Sequence, residues 1–196
     1  MRYLVCILFI SISLNQTRYI DEVFDSVVKT EDVVYANSPD LPFLFLFEWN
    51  TNNIDLDMDI YEPEGDTLES RPLILFFHSG AFFSGNNELD DMVDLSIASA
   101  KRGYVAASVN YRLGLNVLST YSGERAVYRG MQDARTVVRY LRSTHDNGNT
   151  YGINPSKIVL GGHGSGGYIS LAVATLDTAA EMYLPKFISP TNSQPY

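Results

Sequence analysis

Three short segments of the chain run almost without polar interruption, and the remaining pattern is arranged around them. RPLILFFH (71–78), YVAASVNY (104–111) and KIVLGG (157–162) show no polar alternation, which predicts strands buried on both faces, as in a parallel sheet covered by helices. SVVKTEDVVYAN (26–37) reads as a further strand. In NNIDLDMDIYEPEGD (52–66), Ile54, Leu56, Met58 and Ile60 alternate with Asp55, Asp57 and Asp59, predicting a strand with one apolar and one solvated face. Between these segments the period changes. Leu89, Val93, Ile97 and Ala100 make one helical stripe, and Val127, Met131, Ala134, Val138 and Leu141 make another, at steps of 4, 3, 4 and 3. Gly152 and Pro155 break the pattern in YGINPSK, and a third helix is expected over GGYISLAVATLDTAAEMY (166–183). Strands alternating with helices predict a parallel α/β sheet joined by right-handed crossovers. The tail LPKFISPTNSQPY (184–196) offers no further strand pattern.

The first sixteen residues, MRYLVCILFISISLNQ, have a different character. Arg2 precedes an apolar run from Tyr3 to Leu14, which ends in Asn15 and Gln16. The run falls short of the roughly 20 residues that span a bilayer, and its layout fits a secretory signal peptide over 1–16. A buried first strand or helix is the competing reading. Export implies a secreted or periplasmic protein with no stable membrane association after cleavage, and a partial globular domain over 17–196. Cys6, the one cysteine, lies inside the run, which disfavours lipidation and leaves the mature chain without thiol chemistry.

Composition narrows the partners. With 14 Lys and Arg against 23 Asp and Glu, the formal charge is -9, which argues against nucleic acid, whose phosphates require a basic face. The Asp55-x-Asp57-x-Asp59 series could suggest calcium. On a strand, however, it aligns carboxylates in a row without a loop to wrap the ion, and a solvated face is the favoured reading. Three scattered histidines form no metal-ligand cluster. No cofactor is therefore expected.

Three stretches carry the chemistry. HSGAFFSG (78–85) follows a buried strand. SVNYRLG (108–114) follows another and leads into YRGMQDARTVVRYLRS (128–143). INPSKIVLGGHGSGGYIS (153–170) reads as strand, glycine-rich turn and helix start. In this order they resemble the α/β-hydrolase superfamily, in its carboxylesterase, hormone-sensitive-lipase-like and bacterial feruloyl or acetylxylan esterase branches. The resemblance covers about residues 50 to 180. It implies a three-layer α/β-hydrolase-type fold with a mainly parallel sheet, of which this chain holds the N-terminal portion. It also implies hydrolysis of carboxylic esters, with a small-molecule ester or acylated carbohydrate as substrate.

By the same resemblance, the first stretch matches the loop H-G-G-G-F-x-x-G. The amides of Gly80 and Ala81 would then be oxyanion donors, with His78 anchoring the loop. Ser79 and Ala81 stand where the family has glycine, and alanine fits there only with a negative φ. Asp133 sits four residues after Arg129, which predicts a structural ion pair. It also comes too early in the chain for the family's catalytic acid.

The third stretch matches I-D-P-x-R-I-x-x-x-G-x-S-x-G-G. Gly162 is then the first motif glycine, His163 the variable residue, and Gly166 and Gly167 the closing pair. The nucleophile's position falls on Gly164. Ser165 follows it, and its amide would be a third oxyanion donor. Two readings of Ser165 stay open. A one-residue shift of the turn could raise it to the apex as a displaced nucleophile, or its hydroxyl could cap the helix. Gly162, Gly164 and Gly167 also satisfy G-x-G-x-x-G, a dinucleotide pattern. It comes late in the chain, and the upstream motifs favour the hydrolase reading. A serine hydrolase needs a histidine base after its serine in this fold. None of His78, His145 and His163 follows Ser165, and 31 residues remain after it. The expectation is that acid and base lie beyond residue 196, in a longer parent, and that this chain alone is inactive. The alternative is a non-catalytic binding protein with Gly164 in the nucleophile's place.

Overall fold

The computed structural model describes residues 16–40, 52–116, 118, 120–176 and 178. The apolar run of the N-terminus and the tail after the third helix lie outside them. Five strands, β1 (Val27–Asp40), β2 (Asn52–Pro63), β3 (Arg71–Phe77), β4 (Val105–Val109) and β5 (Ile153–Gly162), form one sheet in the order β1-β2-β4-β3-β5. β2 is antiparallel to both β1 and β4, whereas β3 runs parallel to both β4 and β5. The three apolar segments are therefore the parallel ones, and the sheet as a whole is mixed, but of these only β3 and β4 lie inside it: β5 is an edge strand in which Ile153 alone is buried, not a strand covered on both faces.

Helices α1 (Asp90–Lys101), α2 (Ser122–Asp146) and α3 (Ser165–Thr175) follow β3, β4 and β5 in turn. One face of the sheet packs Tyr61, Phe76 and Ala106 against Met92 and Ala100 of α1. The other presents Leu73, Leu75, Phe77, Val105, Ala107 and Val109 to α2 and α3. Three layers result. In β4, VAASV, every residue is buried, and its small side chains let helices approach both faces closely. Among the described residues no helix is long and apolar enough to cross a membrane.

The structure corrects the sequence pattern at several places. The buried stripe of α1 is Met92, Ser96 and Ala100, with Leu89 and Ile97 packed at its side. In α2 the inward residues are Ala126, Gly130, Asp133, Ala134, Val137 and Leu141, a face rotated by about one residue from the expected one. Asp59 is only 2% exposed, so the aspartate face of β2 is not uniformly wet. Its carboxylate accepts from the Asp32 amide and pairs with Lys29 at 3.0 Å, because β1 covers it. Pro155 does not end the pattern but lies within β5. The β3–β5 ladder is irregular there, between the pairs Arg71↔Ile153 and Leu73↔Ile158, a place where a missing N–H is tolerated.

Asp133 pairs with Arg112 rather than with Arg129. The Arg112 guanidinium donates from Nε at 3.0 Å and Nη2 at 2.7 Å to Oδ1, and its backbone amide donates to Oδ2 at 2.8 Å. Arg129 turns instead to the Gly114 carbonyl, at 2.8 Å. Both arginines therefore clamp the 111–114 turn onto α2, which fixes the segment after β4. Elsewhere, Arg18 reaches Asp66 and the Gly103 carbonyl, and the Tyr19 amide donates to Arg102. The stretch after residue 16 is thereby bound to the end of α1.

Two outcomes follow from these pairs. Asp133→Ala leaves the Arg112 charge buried without its carboxylate, and a loss of about 3–5 kcal/mol is expected in denaturant unfolding. At Asp66, burial alone would raise the carboxyl, but hydrogen bonding and charge from Arg18 outweigh it and hold the group below its usual 3.8. A depressed folded-state value stabilises the fold above pH 3.8 and loses that contribution as the pH falls below it. Acid unfolding of Asp66→Asn should therefore lack the part of the low-pH decline that the wild type shows.

Candidate active site and its elbow

The candidate residues meet at the C-terminal ends of β3 and β5. Phe77 pairs with Gly162 in parallel register, and the His163 amide donates to the Phe77 carbonyl at 3.3 Å. The crossing is tight. A Cβ on Gly162 would lie 2.4 Å from the Phe77 oxygen, and one on Gly166 would lie 1.8 Å from it. These two positions admit only glycine, which fixes the turn between them. The one-residue shift needed to raise Ser165 would put His163 into the space of Gly162, and it does not occur.

Gly164 is thus the apex, with φ 54° and ψ -117°. A side chain in that backbone conformation carries strain, which glycine avoids. Ser165 is the first residue of α3 and is buried, at 7% exposure. It is not a cap: Gly164 holds the N-cap position, without a side-chain hydrogen bond. Instead, the Ser165 hydroxyl lies 2.9 Å from the Tyr111 hydroxyl, which itself donates to the His78 carbonyl at 2.9 Å. With the Tyr111 proton committed to that carbonyl, Ser165 is the donor to Tyr111 Oη.

Tyr111, which the sequence offers only as part of SVNYRLG, ties the site together. Its ring stacks on His78 with centroids 4.3 Å apart and meets Phe82 edge-on at 6.0 Å. Burial pushes its phenol up to about 12, against the opposing hydrogen bond from Ser165. Its place at the end of β4, opposite the β3–α1 loop, was the one available signal. His78 is buried, and desolvation lowers its pKa against the raising effect of its bond to Ser79. Its Nδ1 lies 2.7 Å from the Ser79 carbonyl, which can only accept, so that nitrogen carries the proton. His78 thus bonds to the carbonyl of the next residue and stacks on Tyr111.

The loop itself departs from expectation. Ala81 and Phe82 both adopt the left-handed region, with φ of 55° and 60°, beside Gly80 at 124°. Alanine therefore sits at a positive φ, in a conformation that costs roughly 1–3 kcal/mol for a non-glycine residue. Phe82 withstands this because it is buried and its carbonyl accepts from the Gly114 and Leu115 amides at 2.7 and 3.1 Å. Among the described residues, the amides of Gly80, Ala81 and Ser165 have no hydrogen-bond acceptor.

The other histidines stand apart from Ser165. His163 Nδ1 lies 2.8 Å from Asp91 Oδ2, an exposed pair that joins the elbow to α1 and that the sequence did not suggest. His145 sits in the last turn of α2 beside Asp146. Among the described residues no group of three His, Cys, Asp or Glu side chains could hold a metal ion.

Comparison with known proteins identifies the family and the fold. The sequence matches the BD-FAE family over residues 58–194. A neuroligin-like protein of Caenorhabditis elegans, glit-1, is 31% identical over 69% of this chain and 18% of its own length. Mouse carboxylesterase 1D is 30% identical over 68% of this chain and 23% of its own. The chain thus spans less than a quarter of the length of these curated relatives. Among solved structures, an inhibited esterase B from Lactobacillus rhamnosis superposes with a TM-score of 0.54 at 21% identity, covering 90% of this chain and 49% of that one. That likeness concerns the fold. The matched family spans most of the strands, the loop and the elbow, and the chain belongs to the BD-FAE family, in the carboxylesterase-like branch of the α/β-hydrolases.

Proposed function

We propose that this chain forms the cleft of an exported carboxylesterase-like protein that holds a small ester or acylated carbohydrate without covalent attack. One observation carries the reading. The apex of the elbow is Gly164, and the nearest serine, Ser165, is buried with its hydroxyl engaged by Tyr111. A nucleophile requires an exposed hydroxyl and a base within about 3 Å of it. Among the described residues, Ser165 is bonded to Tyr111 and to no histidine. The free amides of Gly80, Ala81 and Ser165 supply a cradle for a carbonyl oxygen, a recognition element that persists without catalysis. Export rests on the apolar run Tyr3–Leu14.

Those same amides favour a second reading, ester hydrolysis by a longer protein in which the turn rearranges to expose Ser165. The relatives include both a carboxylesterase and a neuroligin-like protein, so the names alone do not separate the two.

A fluorophosphonate probe distinguishes them. Applied to the longer parent protein, it should leave both the wild type and Ser165→Ala unlabelled, and label that maps to Ser165 and disappears in the variant would sink the non-catalytic reading. Tyr111→Phe removes the partner of the buried Ser165 hydroxyl, and thermal unfolding should register a loss of about 1–3 kcal/mol. On this reading the variant remains as unreactive toward the probe as the wild type.

A further inference from the structure

The loop between β3 and α1 is fastened at its start, middle and end, and each fastening comes from one run, Ser108–Leu115. Its start is held by Tyr111, whose hydroxyl donates to the His78 carbonyl and whose ring stacks on that histidine. Its middle is held by the Gly114 and Leu115 amides, which donate to the Phe82 carbonyl. Its far end, Asn87, is buried and held by the end of β4. The Ser108 hydroxyl donates to the Asn87 carbonyl at 2.6 Å, and the Asn87 amide donates to Asn110 Oδ1 at 2.8 Å. Asn110 Nδ2 donates to Asn87 Oδ1 at 3.0 Å and also to Asp57 Oδ1. The partners fix which way the Asn110 amide points. The Asp57 carboxylate only accepts and the Asn87 backbone N–H only donates, so nitrogen faces the first and oxygen the second. The Asn110 backbone is held as firmly, donating to the Asp57 carbonyl at 3.1 Å and accepting from the Tyr35 hydroxyl at 2.7 Å.

We propose that Asn110 is a positioning residue for the Gly80 and Ala81 amides, acting through Asn87. Gly80, Ala81 and Phe82 all have positive φ, and a strained run of this kind persists only where its surroundings over-determine it. The turn they form closes on the Gly80 carbonyl, which accepts from the Phe83 and Ser84 amides at 2.9 and 3.1 Å. Releasing Asn87 frees that turn to open, and the amides of Gly80 and Ala81 move with it. The ligand these amides serve rests on the ester-binding reading of the site, whereas the clamp is a property of the loop itself.

Native-state hydrogen exchange on the full chain tests the clamp. Asn110→Asp keeps the size of the side chain but sets a second carboxylate against Asp57 and removes the donor to Asn87 Oδ1. The Phe83 and Ser84 amides should then exchange about tenfold faster relative to the amide of Val137, which is buried in α2. A merely global loss of stability would accelerate all three alike. Adding Asp57→Asn to Asn110→Asp restores a donor opposite an acceptor, and the excess exchange should return to within about threefold of the wild type. Ser108→Ala removes only the bond to the Asn87 carbonyl and stands in should Asn110→Asp not fold; it should accelerate the same two amides in preference to Val137. No excess at Phe83 and Ser84, or an excess that the added Asp57→Asn leaves unchanged, overturns the proposal. Methyl butyrate separates this from the ester-binding reading. Titrated into the wild type, it should move the Gly80 and Ala81 amide resonances, with affinity falling about tenfold in Asn110→Asp as preorganisation is lost. Equal affinity in the two proteins overturns the positioning role. A wild type that never responds sinks the ester-binding reading, and the exchange result then decides the clamp alone.

Discussion

The site depends on how closely the end of β3 can approach the turn after β5. The Phe77 carbonyl receives the His163 amide, and the backbone of Gly162 and Gly166 closes around the same oxygen with no room for a side chain. This contact sets the register of the turn, and the register decides which residue occupies the apex. A slip of one residue would need a Cβ where 2.4 Å separates it from backbone oxygen, a clash no rotamer relieves. The chemistry of the cleft is therefore determined by packing between two strand ends. The serine that looks available in the sequence belongs to the interior of the helix start.

A second layer of constraint surrounds that contact. Arg112 and Arg129 hold the 111–114 turn against α2, and Phe82 is held through its carbonyl by Gly114 and Leu115. These bonds position Tyr111 between His78 and Ser165, and they keep two consecutive residues of the β3–α1 loop in the left-handed region. Strain of that kind persists where surrounding bonds over-determine the backbone. The buried Arg112–Asp133 pair thus acts on the cleft indirectly: it rigidifies the segment on which the aromatic stack rests.

Much of the architecture was legible because burial leaves a period in the sequence. β3 and β4 were apolar almost throughout, and the helices followed β3, β4 and β5 as expected. The errors have a common cause. Periodicity gives the existence of a stripe more reliably than its phase, so α1 and α2 were misjudged by about a residue. Asp59 and Pro155 were misread because each depends on a neighbouring strand, which covers the first and accommodates the second. Within the site, the motif glycines were the easiest signal to read, since the sterically required Gly162 and Gly166 are fixed points that flank the turn at Gly164. Tyr111 and the His163–Asp91 pair escaped notice, because both are contacts between segments far apart in the chain and neither alters a local pattern. The partner of Asp133 was misassigned for a similar reason: helical spacing suggested Arg129, whereas the tertiary fold brought Arg112 closer.

The separation between Ser79 and Gly164 couples the two positions. A side chain at 164 in the present background meets the Ser79 Cβ at 3.2 Å, so that one of the two must give by a few tenths of an ångström, and takes on the strain of a positive φ as well. With glycine at 79 only the second cost remains. The two positions are therefore not independent, and what either tolerates depends on what stands at the other.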